Sequence, residues 1–417
     1  MRNQKKKVLL IGGGIGQLYL AEILHKEGFF LIVIAYSVLE EFRVLAQKVI
    51  LHDLFDLEGV LAIAKEEKVD AVISDQTDIY IPTVAYVAEH LNLPGNTYDQ
   101  VNCYCDKNKF RTICDKLNVP VPKHVELKSI TDYYFENPPF AFPMMIKPAD
   151  MQASVGVVKV NNLIDYKKGI VEALNLSRSN SAIIEEFFEG YEVVCEGLIQ
   201  NGKYFNLGFA DRKYFDIPSM FIPCQTVFPS GISQNVKEQI ILFESVIAKE
   251  VNPTFAIVHS EYLWSPVSNE IRCVESALRG GGVFISSHLI PLYTGLDVNQ
   301  LLIDFVLGNK PQVKDVINEK AEKASAYVCF YLPEGVIERI DGVDMIEKMP
   351  EIDVFCLSNL RIGDETHRMI HKGNRYGPII AHAENIERMN SVIQTVQQNF
   401  KVYVRDAEGK VRTQIWQ

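Results

Sequence analysis

The sequence predicts a mixed α/β and α+β protein, with a parallel βαβ domain at the N-terminus and a largely antiparallel body after it. Three observations carry this expectation. Strand-sized apolar runs alternate with helix-sized segments over the first hundred residues, which implies parallel βαβ units. From Pro138 the pattern changes to paired β runs, with Asn201-Gly202 as a hairpin turn. The composition, 47% hydrophobic and 23% charged over 417 residues, is that of a globular chain with ample core material.

The elements follow in order. KKVLLIGG is a first strand, Gln17 to Glu27 a helix closed by Gly28, and Phe29 to Ala35 a second strand. Leu57 to Lys68 reads as a helix, Asp70 to Ser74 as a strand and Pro82 to His90 as a helix before the turn at Pro94-Gly95. A parallel sheet presents ligands at the carboxyl ends of its strands. The candidate ligand residues there are Gly12 to Gly16 and Ser74 to Asp78. In IGGGIGQ, Gly12 and Gly14 fit a dinucleotide fingerprint, but Gln17 occupies its third glycine position. Tyr36 stands near where an acid should hold a ribose hydroxyl. An NAD-dependent dehydrogenase is disfavoured on both counts, and the glycine turn is expected to face a substrate.

Asp106 to Leu117 is a helix with Phe110, Ile113, Cys114 and Leu117 on one face, ended by Pro120 and Pro122. FPMMIKPAD is a strand, MQASVGVVKV a polar turn running into another, and residues 181–205 two or three antiparallel strands of a small lid. Val236 to Val251 is a helix. Strands around Ile257 to Leu263 and Glu270 to Val274 flank a turn at Ser265 to Asn269. Arg279 to Gly282 starts a loop, Asp297 to Val306 is a helix, and Ile386 to Asn399 is amphipathic. The expected divisions are 1–105, 106–195, 196–308 and 309–417.

Lys plus Arg number 42 and Asp plus Glu 53, a net charge of −11. That excess disfavours an electrostatically driven nucleic-acid binder. No apolar run approaches the ~20 residues of a membrane helix. The apolar stretch after the first lysines, Val8 to Ile11, is too short for a secretion signal. A cytoplasmic protein is expected, with its eight scattered cysteines as free thiols. His367 and His371 have i, i+4 spacing but no HExxH context, so a surface helix is the expectation there rather than a metal site.

Two features carry chemistry. Lys147 lies inside an apolar strand, where a charge needs a partner. It either pairs internally with Glu185 or Glu192, or reaches nucleotide phosphates. Glu261 and Glu275 sit on strands that the turn should make antiparallel neighbours, with His259 on the face of Glu261. Two carboxylates forced together repel. They either pair with Arg272 and Arg279 or share a divalent cation, for which oxygen ligands and a phosphate-bearing substrate suit Mg²⁺.

Five motifs in one order, DKNKFR (Asp106 to Arg111), FPMMIKP (Phe142 to Pro148), SVGV (Ser154 to Val157), IIEEFFEGYEV (Ile183 to Val193) and HSEYLW…CVESALRGGG, resemble the ATP-grasp superfamily. The likeness is nearest to its carboxylate–amine ligase branch, the L-amino-acid ligase and carbamoyl-phosphate-synthase-like enzymes. The preceding βαβ region resembles the preATP-grasp domain, and Glu338 to Met389 the branch's C-terminal subdomain. The resemblance implies an ATP-grasp fold built from a small lid subdomain and a larger antiparallel one. It implies that Lys107 and Lys147 contact ATP phosphates and that the Ser154 to Val157 loop, with Gly156, closes over them. Glu185, Phe187 and Phe188 would hold adenine and Glu192 the ribose. Glu261 and Glu275 would bind Mg²⁺ (or Mn²⁺), and Arg279 the carboxylate substrate or its acyl phosphate.

Two departures stand out. Ala277 occupies the place of a customary metal-ligand Asn, and the Ser154 loop is poor in glycine. The expected function is an ATP- and Mg²⁺-dependent carboxylate–amine ligase forming a C–N bond through an acyl phosphate and releasing ADP and phosphate. Its partners would be small-molecule carboxylate and amine substrates, with a homodimer as the assembly admitted and neither nucleic acid nor membrane involved. The competing readings are a bicarbonate- or formate-using enzyme of carbamoyl-phosphate or purine-synthesis type, needing partner chains for glutaminase or biotin-carrier parts, and a non-catalytic nucleotide-binding protein.

Overall fold

The computed structural model describes residues 5–152, 155–217, 220–311, 313, 323–357, 360–369 and 374–417. Strands β1 (Lys7–Ile11), β2 (Phe30–Ala35), β3 (Lys48–Leu51) and β4 (Ala71–Ile73) form a parallel sheet in the order β3-β2-β1-β4. Its two central strands are apolar on both faces. Leu10 and Val33 pack on one cluster, with Leu20 and Leu24 of the helix Ile15–Lys26, and Leu9 and Ile32 on another, with Val60 and Leu61. Burial on both sides is what a crossover-connected sheet requires.

A second sheet is antiparallel. It comprises β5 (His124–Leu127), β6 (Met144–Pro148), β7 (Val158–Val160) and β8 (Ala182–Glu186), in the order β5-β8-β6-β7. The helix Leu163–Leu176 covers it through Tyr166, Ile170 and Ala173 and is capped by Asn162, whose side chain accepts from Ile164 and Asp165. This is the lid-like unit. The lid expected over residues 181–205 is corrected here, because only β8 of that stretch belongs to it.

Strand β9 (Tyr191–Gln200) turns at Asn201-Gly202 into β10 (Lys203–Tyr214), and both enter the largest sheet. Among the described residues that sheet has eight strands, adding β11 (Pro223–Phe228), β12 (Phe255–Ser265), β13 (Glu270–Ala277), β14 (Ala324–Phe330), β16 (Ile352–Phe355) and β18 (Tyr376–Ala383). The order is β13-β12-β9-β10-β11-β14-β18-β16. The division expected at 195/196 therefore falls inside β9. The segment expected as a separate C-terminal unit, 309–417, contributes three strands to the same sheet. Its remaining strands, β15 (Gly335–Asp341), β17 (Glu365–Thr366), β19 (Lys401–Arg405) and β20 (Val411–Thr413), form a small sheet of their own.

The helix Ile386–Asn399 matches its expected span, whereas the helices Glu40–Leu45 and Tyr98–Cys105 and the strand β3 were not foreseen. His367 follows β17 in irregular backbone, so the helical reading of that histidine pair is corrected, and His371 lies outside the described residues.

Asp75, just past β4, joins the N-terminal sheet to the rest. Its carboxylate, 1% exposed, accepts from Gly280 N at 2.6 Å, Ser286 Oγ at 2.7 Å and Asn299 Nδ2 at 2.9 Å. Removing an acceptor leaves buried donors unpaired, at about 1–3 kcal/mol each. Asp75→Ala should therefore lower the midpoint of chemical unfolding clearly. An unchanged midpoint would contradict the structural role given to this junction.

Candidate functional site

The helix Lys107–Lys116 begins at Asp106, whose Oδ1 accepts from Asn108 N at 2.9 Å and Lys109 N at 3.1 Å. This cap sets Lys107 at the first turn and Arg111 one turn later, on the same side. Lys107 Nζ donates to the carbonyl of Met151 at 2.6 Å. Arg111 is 1% exposed and reaches Glu185, also 1% exposed, through Nη2 at 2.7 Å and Nε at 2.9 Å. Lys147 Nζ reaches the other Glu185 oxygen at 2.5 Å. Of the two internal partners open from sequence, Glu185 is the one found. Burial pushes the Glu185 carboxyl upward, but Arg111 and Lys147 outweigh it and take it from the usual 4.5 to about 2. Both Glu185 oxygens are thus engaged by cations within the fold.

Across the cleft, β12 and β13 pair with Glu261 directly opposite Glu275. Arg212 Nη1 donates to Glu192 at 2.7 Å and also to Glu261, and the Tyr214 hydroxyl donates to Glu192. Burial and the neighbouring Glu261 charge raise the Glu192 carboxyl, against the pull of Arg212. His259 bridges Glu196 through Nδ1 and Glu261 through Nε2, the latter at 3.3 Å. The pairing of Glu261 and Glu275 with Arg272 and Arg279, one reading from sequence, is not what forms. Arg272 pairs with Glu270 and Arg279 with Asp78. That second pair is two-pronged, Nε to Oδ1 at 2.7 Å and Nη2 to Oδ2 at 3.0 Å. Burial acts to raise the Asp78 carboxyl, and Arg279 prevails and holds it low.

Lys107, Asp78 and Glu275 line one cavity of about 420 Å³. A second, of about 650 Å³, lies between the Gly13 to Gly16 turn, Gly282 to Phe284 and Arg375. Gln152 borders both, and its Oε1 accepts from the Asp78 amide at 2.8 Å. Gly156 bends with φ +71°, and Ser154 lies outside the described residues. Lys159 Nζ stands 3.6 Å over the Phe187 ring, and the Arg272 guanidinium 4.9 Å from the Phe188 ring. Gln17 fills the glycine turn itself. Its Oε1 accepts from Gly14 N at 3.2 Å, and its Nε2 donates to the Asp75 carbonyl at 2.6 Å and Thr77 Oγ1 at 2.9 Å.

Sequence reasoning missed Arg212, Glu196 and the partnership of Asp78 with Arg279. Glu196 carried a signal, an acid inside the apolar run VVCEGLI. The other two depend on contacts across strands or domains.

Among the described residues no group of three or more His, Cys, Asp or Glu side chains gathers closely enough to hold a metal alone. The donors nonetheless suit a hard cation completed by phosphate oxygens and water. Glu261 and Glu275 offer carboxylate oxygens only, and Glu275 lines the cavity it shares with Lys107 and Asp78.

Residues 140–287 match the family model described as ATP-grasp domain, and residues 328–405 that described as L-amino acid ligase C-terminal domain 2. The chain carries an ATP-grasp domain. It is similar to alanine–anticapsin ligase of Bacillus subtilis (strain 168), 24% identical over 281 residues, which cover 61% of this chain and 57% of that protein. It is also similar to the carbamoyl phosphate synthase large chain of Clostridium botulinum (strain Langeland), 26% identical over 276 residues, 59% of this chain and 24% of that one. The chain thus spans about half and about a quarter of these relatives. Two solved structures share its fold. L-amino acid ligase from Bacillus licheniformis superposes with a TM-score of 0.80 at 17% identity, covering 97% of this chain and all of that one. The biotin carboxylase domain dimer of Hydrogenobacter thermophilus 2-oxoglutarate carboxylase, in complex with MgADP, ADP and bicarbonate, gives 0.73 at 15%, covering 99% and 92%. The ATP-grasp fold agrees with the mixed parallel and antiparallel architecture described above.

The Arg111–Glu185–Lys147 cluster makes the fold sensitive to acid. The Glu185 pKa lies below its unfolded value, so its pairing stabilises the fold above about pH 4.5 and is lost as pH falls toward 2. A shift of this size corresponds to about 3 kcal/mol. Glu185→Gln cannot titrate and should lack that part of the acid loss. Urea unfolding at a series of pH values checks it, and parallel pH profiles for both proteins would contradict it.

Proposed function

We propose that the protein is a carboxylate–amine ligase using ATP and Mg²⁺, acting through an acyl phosphate and releasing ADP and phosphate. The observation that carries this reading is one cavity lined by Lys107, Glu275 and Asp78, with Arg279 held by Asp78 beside it. Cations for phosphates, an oxygen ligand for a metal and a guanidinium for a carboxylate meet there. The ATP-grasp domain and the ligase relatives support it.

A carboxylate oxygen attacks the γ-phosphorus, the bond to the β–γ bridging oxygen breaks, and ADP leaves. The amine then attacks the acyl carbon. Phosphate departs with the C–O electron pair, and the new amide nitrogen gives up a proton. The ligase's part is to bring anions together and keep water away.

In this reading Lys107 and Lys147 meet the phosphates, and Lys147 is held for that task by Glu185. The loop with Ser154 and Gly156 closes over them. The backbone near Phe187 and Phe188 receives adenine, with Glu185 behind it, and Glu192 the ribose. Glu261 and Glu275 hold Mg²⁺, or Mn²⁺ in its place, which neutralises phosphate charge when bound. Ala277, opposite His259 in the ladder, would offer that metal no side-chain ligand. Arg279 receives the carboxylate, which competes with Asp78 for it.

Lys147→Ala should keep the wild-type far-UV circular dichroism and lose ATP turnover. One charge-assisted phosphate contact is worth about 1.5–3 kcal/mol, roughly ten- to a hundred-fold. The assay is Mg²⁺-dependent phosphate release with a panel of carboxylates and amines. Wild-type turnover by the variant would remove Lys147 from the site. An absence of any metal-dependent ADP formation would sink the ligase reading.

A further inference from the structure

We propose that Arg111 is a positioning residue for the metal site: its bond to the Val274 carbonyl holds the bulge in β13 that turns Glu275 toward Glu261. This rests on the ligase reading above for the metal that the two glutamates receive.

The ladder between β12 and β13 is not regular. Glu261 faces Glu275, but the next pair is Tyr262 with Cys273, so Val274 is an extra residue without a facing partner in β12. This is a β-bulge, a device that re-aims a side chain beside a site. In an unbroken ladder running on from Tyr262 and Cys273, Val274 would face Glu261 and Glu275 would face Ser260. Ser260 is fully buried, so the Glu275 carboxylate would then point into the core. Cys273 and Glu275, two positions apart, would also share a face in a regular strand. Instead Cys273 packs in the core with Tyr262, while Glu275 lines the cavity with Lys107 and Asp78. The bulge therefore decides on which face Glu275 lies.

A bulge disrupts the ladder locally, and the backbone groups released there need other partners. The segment that carries Lys107 supplies two of them. Arg111 Nη2, in the helix Lys107–Lys116, donates to the Val274 carbonyl at 2.6 Å. The Cys273 amide donates to the carbonyl of Pro120, just beyond that helix, at 2.7 Å. On the core face the neighbours of the bulge are tied to the buried Glu244. The Tyr262 hydroxyl donates to it at 2.6 Å and Ser276 Oγ at 3.3 Å, and Ser260 Oγ donates to Ser276 Oγ at 2.9 Å.

Arg111 is the member of this set that joins the two halves of the site. The guanidinium that holds the bulge also holds Glu185, and Glu185 holds Lys147. Its Nη1 is buried with no acceptor among the described residues. An unpaired buried donor is unfavourable, so the other contacts, not the satisfaction of every donor, fix where the guanidinium sits.

The test reads Mn²⁺ binding through the free-ion signal in electron paramagnetic resonance, with the full chain in excess over a non-hydrolysable ATP analogue. Losing a group that supports a metal ligand commonly weakens metal binding by about ten- to a hundred-fold. Arg111→Lys keeps a cation beside Glu185 but lacks the planar fork that serves two acceptors, and it should weaken Mn²⁺ binding by about ten-fold or more. In a Glu275→Gln chain the same change should add less than about two-fold, because the carboxylate being aimed is gone. Should Arg111→Lys fail to fold by far-UV circular dichroism, Arg111→Met is compared within Glu185→Gln, where the guanidinium has no carboxylate left to neutralise, and the ten-fold loss should appear there. Unchanged Mn²⁺ affinity, an equal loss with and without the Glu275 carboxylate, or no Mn²⁺ binding by the wild type overturns the proposal. The expected losses in a protein that forms no ADP with any carboxylate and amine would leave the positioning role standing and refute the ligase reading. Metal-dependent ligation with Mn²⁺ affinity indifferent to Arg111 would do the reverse.

Discussion

Glu261 and Glu275 stand opposite each other in the β12–β13 ladder, and the arrangement around the cleft answers that constraint. Like charges at directly facing positions destabilise a sheet. Here Arg212 is shared between Glu261 and Glu192, and His259 is held between Glu261 and Glu196. The cations do not match the acids one for one, and burial with Glu261 nearby raises the Glu192 carboxyl. A residual negative field on two adjacent strands is the condition under which a divalent cation is welcome. Lys147 and Arg111 flank one glutamate, a surplus of positive charge suited to phosphates, and Arg111 also donates to the Val274 carbonyl of β13. The two halves are electrically complementary to a metal nucleotide.

The N-terminal sheet contributes position rather than charge surplus. Asp75 holds Gly280, Asp78 holds Arg279, and Gln17 ties the glycine turn to the Asp75 backbone. Hydrogen bonds therefore run from the glycine turn to the loop that carries the candidate carboxylate-binding arginine. This explains why the glycine-rich motif departs from a dinucleotide fingerprint. The place of the third glycine, which in that fingerprint allows close helix–strand packing, is filled by a buried side chain with bonding duties of its own.

The sequence was most legible where chemistry and periodicity coincide. The parallel strands, the Asn201-Gly202 hairpin and the facing positions of Glu261 and Glu275 follow from apolar spacing and turn residues, and the structure contains them. A lysine inside FPMMIKP had to have a partner, and Glu185 is that partner. The limit of the lid was not legible. Residues 181–205 read as one run of strands, yet β8 and β9 belong to different sheets. The break at 187–190 has no proline to mark it, only Gly190, where an added Cβ would meet the Trp264 carbonyl at 2.9 Å. Nor were Arg212 with Glu261 or Asp78 with Arg279 legible, because pairs separated by 49 and 201 positions are set by tertiary packing. Short elements such as Lys48–Leu51 escaped because four residues hold too little periodicity to read.

In the ligase proposed above, the metal nucleotide lies between the Lys107–Lys147 side and the Glu261–Glu275 pair. A crystal structure with Mn²⁺ and a non-hydrolysable ATP analogue tests it most directly, because manganese is located by its anomalous scattering. A manganese peak is expected within coordinating distance of both Glu261 and Glu275, with the triphosphate reaching toward Lys107 and Lys147. A metal bound away from both glutamates, or a nucleotide seated in the glycine-turn cavity instead, would contradict it.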